Sequence, residues 1–197
     1  SFRIILNDPD LIVTSEINKQ YRTAHKAVLF GYIYGGGPQR ISQILNIPIE
    51  VAKLVYLQLK KTLPTLDRYL TDSAKFATKN YYINGSKRTN RRRWFSDFFE
   101  GKMEAHEVER QAKNMPVQST NADMIKEAII EVIEYFESIG NIAKLLFTVH
   151  DELDFVIPIG RQDIAENVKN IMENVGNKYL TNVKMVSDLT IDTCWKK

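Results

Sequence analysis

Apolar residues recur at helical spacing through most of the first half of this chain. From Ser15 to Tyr34 they follow the three-and-four step of a helix, and the run stops at Gly35-Gly36-Gly37-Pro38. Arg40 to Leu45, Pro48 to Leu63 and Pro64 to Tyr82 predict three more helices, two of them opened by a proline whose missing donor costs little there. Ala105 to Gly140 keeps the same period but is interrupted near Pro116, which predicts two helices or one kinked helix. The period then changes. Ala143 to Val149 and Leu153 to Ile157 are apolar, β-leaning runs around Asp151 and Glu152, the pattern of a hairpin with acids at its turn. Ile164 to Tyr179 is amphipathic, and Val183 to Ile191 alternates Val183, Met185 and Leu189 against polar neighbours, which predicts a closing strand. The expected class is α+β, mainly helical first and antiparallel sheet afterwards.

Composition narrows the function classes. The 197 residues, 44% of them apolar, suit one sizeable core, and no apolar run approaches the roughly 20 residues needed to cross a bilayer. The opening SFRIILNDPD lacks the features of a secretory signal, so the expected compartment is the cytoplasm, or a host's cytoplasm if the gene is a phage's. One cysteine, Cys194, and three scattered histidines exclude an internal disulfide and a zinc-type cluster, so any metal must sit on carboxylates. A net charge of +3 does not by itself call for nucleic acid. Its distribution is more telling. Lys87, Arg88, Arg91, Arg92 and Arg93 precede Trp94 and Phe95 in a loop, 84–95, opened by the turn signal Asn84-Gly85. Phosphate contact is one reading of that loop, and a solvated basic surface is the other.

Arg22, Lys26, Phe30 and Tyr34 fall four residues apart, so each step is about 6 Å along a helix and about 40° around it. Two cations are followed by two aromatics along one drifting stripe. A nucleoside triphosphate has the same polarity, with a charged tail for the cations and a sugar and base for the rings. An ordinary amphipathic helix with exposed cations and core-facing rings would show the same spacing.

The run Arg22-x-x-x-Lys26-x-x-x-Phe30-Gly31-x-x-Tyr34-Gly35 resembles motif B of the family A (Pol I-like) DNA polymerases. That resemblance implies that Arg22 and Lys26 bind the triphosphate of the incoming dNTP, Lys26 with a catalytic share. Phe30 would lie by the sugar and base, and Tyr34 by the templating position. His25 and Leu29 depart from the pattern, where a small residue and a polar one are expected. Phe30 is similar to the DNA polymerases, whereas the related single-subunit RNA polymerases carry Tyr, so a ribonucleotide polymerase is the runner-up.

Leu146-Phe147-Thr148-Val149-His150-Asp151-Glu152 resembles motif C of the same family. Acids populate turns for ordinary reasons. The resemblance implies that Asp151 is a metal ligand, Glu152 an accessory catalytic carboxylate and His150 a neighbour of the primer terminus. Nucleotidyl transfer of this kind uses two Mg²⁺ ions about 3.5–4 Å apart. Glu109 to Thr120 resembles the helix that contacts the duplex minor groove, with Arg110, Asn114 and Gln118 again four apart. Donors there meet acceptors that every base pair presents. Ser119 and Asn121 stand where glycine and alanine are expected.

The resemblance therefore divides the chain into a segment 1–14, a fingers-like helical part 15–104 carrying the basic loop, and a partial palm 105–197 with the duplex-contacting helix and the hairpin. It implies primer-template DNA and dNTP as partners, with Arg91, Arg92 and Arg93 on DNA. A second metal-binding aspartate, in motif A, has no counterpart before Ser15; Asp8 and Asp10 sit in a turn-like Asp-Pro-Asp. The expectation is a template-directed DNA polymerase part or subunit that needs motif A and a thumb from another chain or from a missing N-terminal part. A non-catalytic DNA-binding module is the alternative from a different class.

Overall fold

The computed structural model describes residues 15–195, and the expectations for Asp8, Asp10 and segment 1–14 lie outside the described residues. In order, the elements are α1 (Ser15–Ile33), α2 (Pro38–Leu45), α3 (Ile49–Thr62), α4 (Pro64–Asn80), β1 (Tyr82–Asn84), β2 (Arg92–Trp94), α5 (Ser96–Phe99), α6 (Ala105–Ser138), β3 (Lys144–Val149), β4 (Glu152–Val156) and α7 (Gln162–Tyr179). By their contacts the described residues form two compact units, one of residues 15–83 and 92–116, the other of 84–91 and 117–195. This division passes through α6 and through the basic loop.

In the first unit, Val28 and Tyr32 on α1 meet Ile41 of α2, Ala52 and Leu59 of α3 and Leu70 of α4 in one buried cluster. Pro64 stands in the first turn of α4 as read, Pro48 is the capping residue just before α3 instead of its first residue, and Pro38, read as part of the stop after α1, opens α2 two residues earlier than expected. Tyr32 also donates to Asp67, whose other neighbour is Lys60 at 3.5 Å. A second cluster, Ala77, Ile83, Phe95, Val108 and Ala112, ties the β1–β2 ribbon to the start of α6. The ribbon was not anticipated, because three-residue strands are too short to show a period.

In the second unit, Ala128, Val132 and Phe136 step by four along α6 and pack on Leu153 of β4 and on Ile164, Val168 and Val175 of α7. The strands β3 and β4 are antiparallel, with Val149 opposite Glu152 and Phe147 opposite Asp154, and an irregularity between Leu145 and Phe147. Pro116 lies inside α6, which runs through it as one helix of 34 residues. The expected closing strand over 183–191 is not formed. Its alternation is real, since Met185, Ser187 and Leu189 are half-buried between exposed neighbours. The backbone donors, however, go to α7 side chains: Met185 N–H to Asn177 Oδ1 at 2.8 Å and Ser187 N–H to Glu173 Oε1 at 2.9 Å. Backbone groups satisfied by side chains need no strand partner. Among the described residues no helix is long and apolar enough to cross a membrane.

Candidate active site

The stripe read from the sequence is an exposed face of α1. Arg22, Lys26 and Phe30 are exposed while Val28 and Tyr32 on the opposite side are buried, so the ring at position 30 does not face the core as in an ordinary amphipathic helix, and Tyr34 is half-buried. Phe30 remains 40% exposed. The rings of Phe30 and Tyr34 stack with centroids 5.8 Å apart and planes within 6°, and the Lys26 ammonium lies 5.6 Å from the Phe30 ring. Cation and rings therefore form one continuous ledge. Its end is shaped by glycine. A side chain on Gly31 would press on Ile44 at 3.1 Å, and one on Gly36 would strike the Gly31 carbonyl oxygen at 2.6 Å. Gly35 has φ +81, the left-handed region that glycine enters freely. The spot its missing Cβ would occupy is 3.6 Å from the Arg110 backbone, so the first unit brings Arg110 to the Tyr34 end of the ledge.

Arg110, Asn114 and Gln118 all lie on α6, as the spacing required. Arg110 and Gln118 are exposed. The Oδ1 of Asn114 is buried and accepts no hydrogen bond, an unusual state for an amide that costs stability unless a ligand uses it.

In the second unit, His150 and Asp151 form the two-residue turn between β3 and β4. His150 has φ +56, the left-handed conformation that a tight two-residue hairpin turn demands of a turn position and that a non-glycine residue adopts at some cost. Asp151 is exposed, and its carboxylate has no hydrogen-bond or ion-pair partner among the described residues. Beneath the turn lies a cavity of about 540 Å³ lined by Asp151, Glu152, Asp154, Lys169 and Asp188 among others. Asp154 was missed by sequence reasoning. One of its oxygens is buried and unpartnered, and burial, aided by the charge of Glu152, pushes its carboxyl above the ordinary carboxylate range. Trp195 was missed too. Its Nε1–H donates to Glu152 Oε1 at 3.3 Å, and its ring meets Phe147 edge-on.

Hard oxygen donors of this kind suit Mg²⁺ better than a soft metal. Yet among the described residues no three His, Cys, Asp or Glu side chains converge as metal ligands. Asp151 and Glu152 supply the right chemistry for part of such a site and not the whole of it.

The basic loop is committed inward more than its charge suggested. Arg88 holds Glu127 through Nε at 3.1 Å and Nη2 at 2.9 Å, and Arg91 pairs with the buried Asp123 at 2.7 Å, which also accepts from Thr89. Buried carboxylates of this kind need such partners. Arg93 bonds Gln111 and lies over Phe95, and Arg92 lies 4.8 Å over the Tyr82 ring. Neither Arg92 nor Arg93 has an acidic partner among the described residues. Ser119, an unexpected residue by the motif, explains Gly85: a Cβ there would fall 2.2 Å from the Ser119 hydroxyl.

Residues 10–197 match the model of DNA polymerase family A. The chain is 32% identical to DNA polymerase I of Deinococcus radiodurans over 161 residues, 81% of this chain and 16% of that protein. It is 33% identical to the thermostable DNA polymerase I of Thermus aquaticus over 156 residues, 78% of this chain and 18% of that protein. Its structure matches the POL domain of Pol1 from M. smegmatis, solved in complex with DNA primer-template and dNTP, with a TM-score of 0.74 at 30% identity, covering 88% of this chain and 30% of the other. The chain thus spans about a fifth or less of these two curated relatives.

Proposed function

Because the chain belongs to DNA polymerase family A, we propose that it takes part in template-directed DNA synthesis, transferring a nucleotidyl group from a dNTP to a primer 3′ hydroxyl. The observation that carries this reading is the ledge of the exposed Lys26 and Phe30 on α1 and the half-buried Tyr34 stacked just past its end, backed by the buried Val28 and Tyr32. On it, Arg22 and Lys26 take the triphosphate, Phe30 faces the sugar and Tyr34 the templating base. A cation prefixed to two stacked rings favours a ligand charged at one end and flat at the other. Arg110, Asn114 and Gln118, in step along α6, donate to minor-groove acceptors. Arg92 takes a phosphate. His150 stands by the primer terminus, while Asp151, with Glu152 beside it, is the metal-binding carboxylate, Mg²⁺ being the ion its oxygen chemistry suits.

A single metal-binding carboxylate does not hold two ions, so the proposal includes a further segment bringing a second aspartate, from the same protein or another chain. The hairpin supports such a covering segment. Leu146, Phe147 and Val156 are 56%, 43% and 47% exposed on a sheet that has two strands and no further strand partner among the described residues.

Primer extension tests the reading, using this chain with and without a fragment supplying the palm strand. The expected outcome is extension by the mixture and a loss of at least about a hundredfold on Asp151→Asn, the scale of a lost electrostatic partner at the reacting phosphate. Equal extension by the variant takes Asp151 out of the reaction and overturns the enzymatic reading.

A further inference from the structure

We propose that Trp195 is a positioning residue for the acidic turn, holding Glu152 by its indole N–H while its ring braces the opposite strand. The inference rests on the reading of Asp151 and Glu152 as reaction carboxylates. The side chains of Phe147, Val149, Glu152 and Asp154 share one face of the hairpin, because 147 pairs with 154 and 149 with 152. The other face, with Leu145, Leu153 and Phe155, is committed to the core. Trp195 reaches both strands on this first face, where Phe147 and Glu152 are exposed while one Asp154 oxygen is buried. Its Nε1 is 3.3 Å from Glu152 Oε1, forty-three positions away in the chain, and its ring lies 6.1 Å from that of Phe147 at 79°.

The tail is delivered to this spot by its own anchors on α7, the Met185 and Ser187 amides held by Asn177 and Glu173. A residue kept for packing would be sunk in the core; Trp195 is 49% exposed. What the indole restricts is rotation. Glu152 is exposed and would otherwise sample several rotamers, and it has no other side-chain partner among the described residues. One carboxylate oxygen is tied by the N–H while the second stays free for a ligand, beside an Asp151 that no protein group restrains. Position at this turn is what a transfer reaction requires, since a carboxylate displaced by an ångström loses much of its effect.

The test uses the full chain and two readouts. The protein has two tryptophans, Trp94 and Trp195, so Trp94→Phe leaves one indole N–H resonance in an ¹⁵N-resolved proton spectrum, that of Trp195. Glu152→Ala is expected to move that resonance upfield and speed its exchange with solvent about fivefold or more, the worth of one hydrogen bond. In the primer-extending mixture, Trp195→Phe keeps the ring against Phe147 and removes the N–H. It is expected to lower kcat about fivefold with an unchanged KM for dNTP, and to have no further effect once Glu152 is Ala. An indole resonance indifferent to Glu152→Ala overturns the inference, as does a Trp195→Phe effect of full size in the Glu152→Ala background. If no mixture extends primers but the resonance still answers to Glu152, the polymerase reading has failed and the contact stands.

Discussion

Glu127 is the most heavily bonded acid of the second unit, and replacing it with Gln tests whether the basic loop is a structural strut. Its carboxylate accepts from Arg88 Nε and Nη2 at 3.1 and 2.9 Å, from Lys178 Nζ at 3.1 Å and from the Tyr179 hydroxyl at 2.7 Å. The Arg88 bonds above all, then that of Tyr179 and, more weakly, Lys178, hold its pKa down to about 2 from an ordinary 4.5 against the opposing effect of burial. At about 1.36 kcal/mol per pKa unit, that drop sets a ceiling of about 3.4 kcal/mol on the worth of the charge. The Arg88 and Lys178 side chains are 46% and 38% exposed, so solvent screening brings the expected figure to about 1–2 kcal/mol. The pKa is lower in the folded than in the unfolded state. The stabilisation is therefore complete above pH 4.5 and is lost as the pH falls through about 2. Urea unfolding of wild type and Glu127→Gln at pH 7 and pH 3 measures it. A deficit of about 1–2 kcal/mol at pH 7, shrinking to less than half at pH 3, is expected. A deficit that is absent, or equal at the two pH values, refutes the argument.

Gly36→Ala places a Cβ 2.6 Å from the Gly31 carbonyl oxygen, a backbone atom that cannot swing away. The expected cost is about 1–3 kcal/mol in the urea midpoint, and an unchanged midpoint would mean that the chain does not pass so close. Phe30→Tyr adds a hydroxyl at the proposed sugar position, where it can bond in place of an absent 3′ hydroxyl. Dideoxynucleotide use relative to dNTP in primer extension is expected to rise about tenfold, and no change removes Phe30 from the sugar.

Much of the helical architecture was readable because hydrophobic period and punctuation agreed. Gly35 to Pro38 ended α1, Pro64 opened α4, and Gly140 follows α6 closely. Pro116 left two options open. One helix won because burial flanks the proline on both sides, Val108 and Ala112 before it and Ala128 and Val132 after, which outweighs one lost backbone bond. The tail misled for the reverse reason. Alternation reports an extended chain, and only the acceptors, here Asn177 and Glu173, decide whether it joins a sheet. Spacing along one helix made Arg22 to Tyr34 and Arg110 to Gln118 legible. Long-range partners carry no local signal, so Arg91 with Asp123 and Trp195 with Glu152 emerged only in three dimensions.

The same separation between what holds the fold and what faces the substrate makes the central test interpretable. Asp151 is exposed at a turn and bonds no other described residue, while the hairpin beneath it is held by Leu153 and Phe155 against α6 and α7. Asp151→Asn removes a charge and leaves shape, turn and core unchanged. The expected unfolding free energy stays within about 0.5 kcal/mol of wild type, as for a surface substitution. Lost extension together with an unaltered urea midpoint then belongs to the carboxylate. Should Asp151→Asn destabilise the chain by more than about 1 kcal/mol, the turn carries a structural role and the loss no longer identifies chemistry.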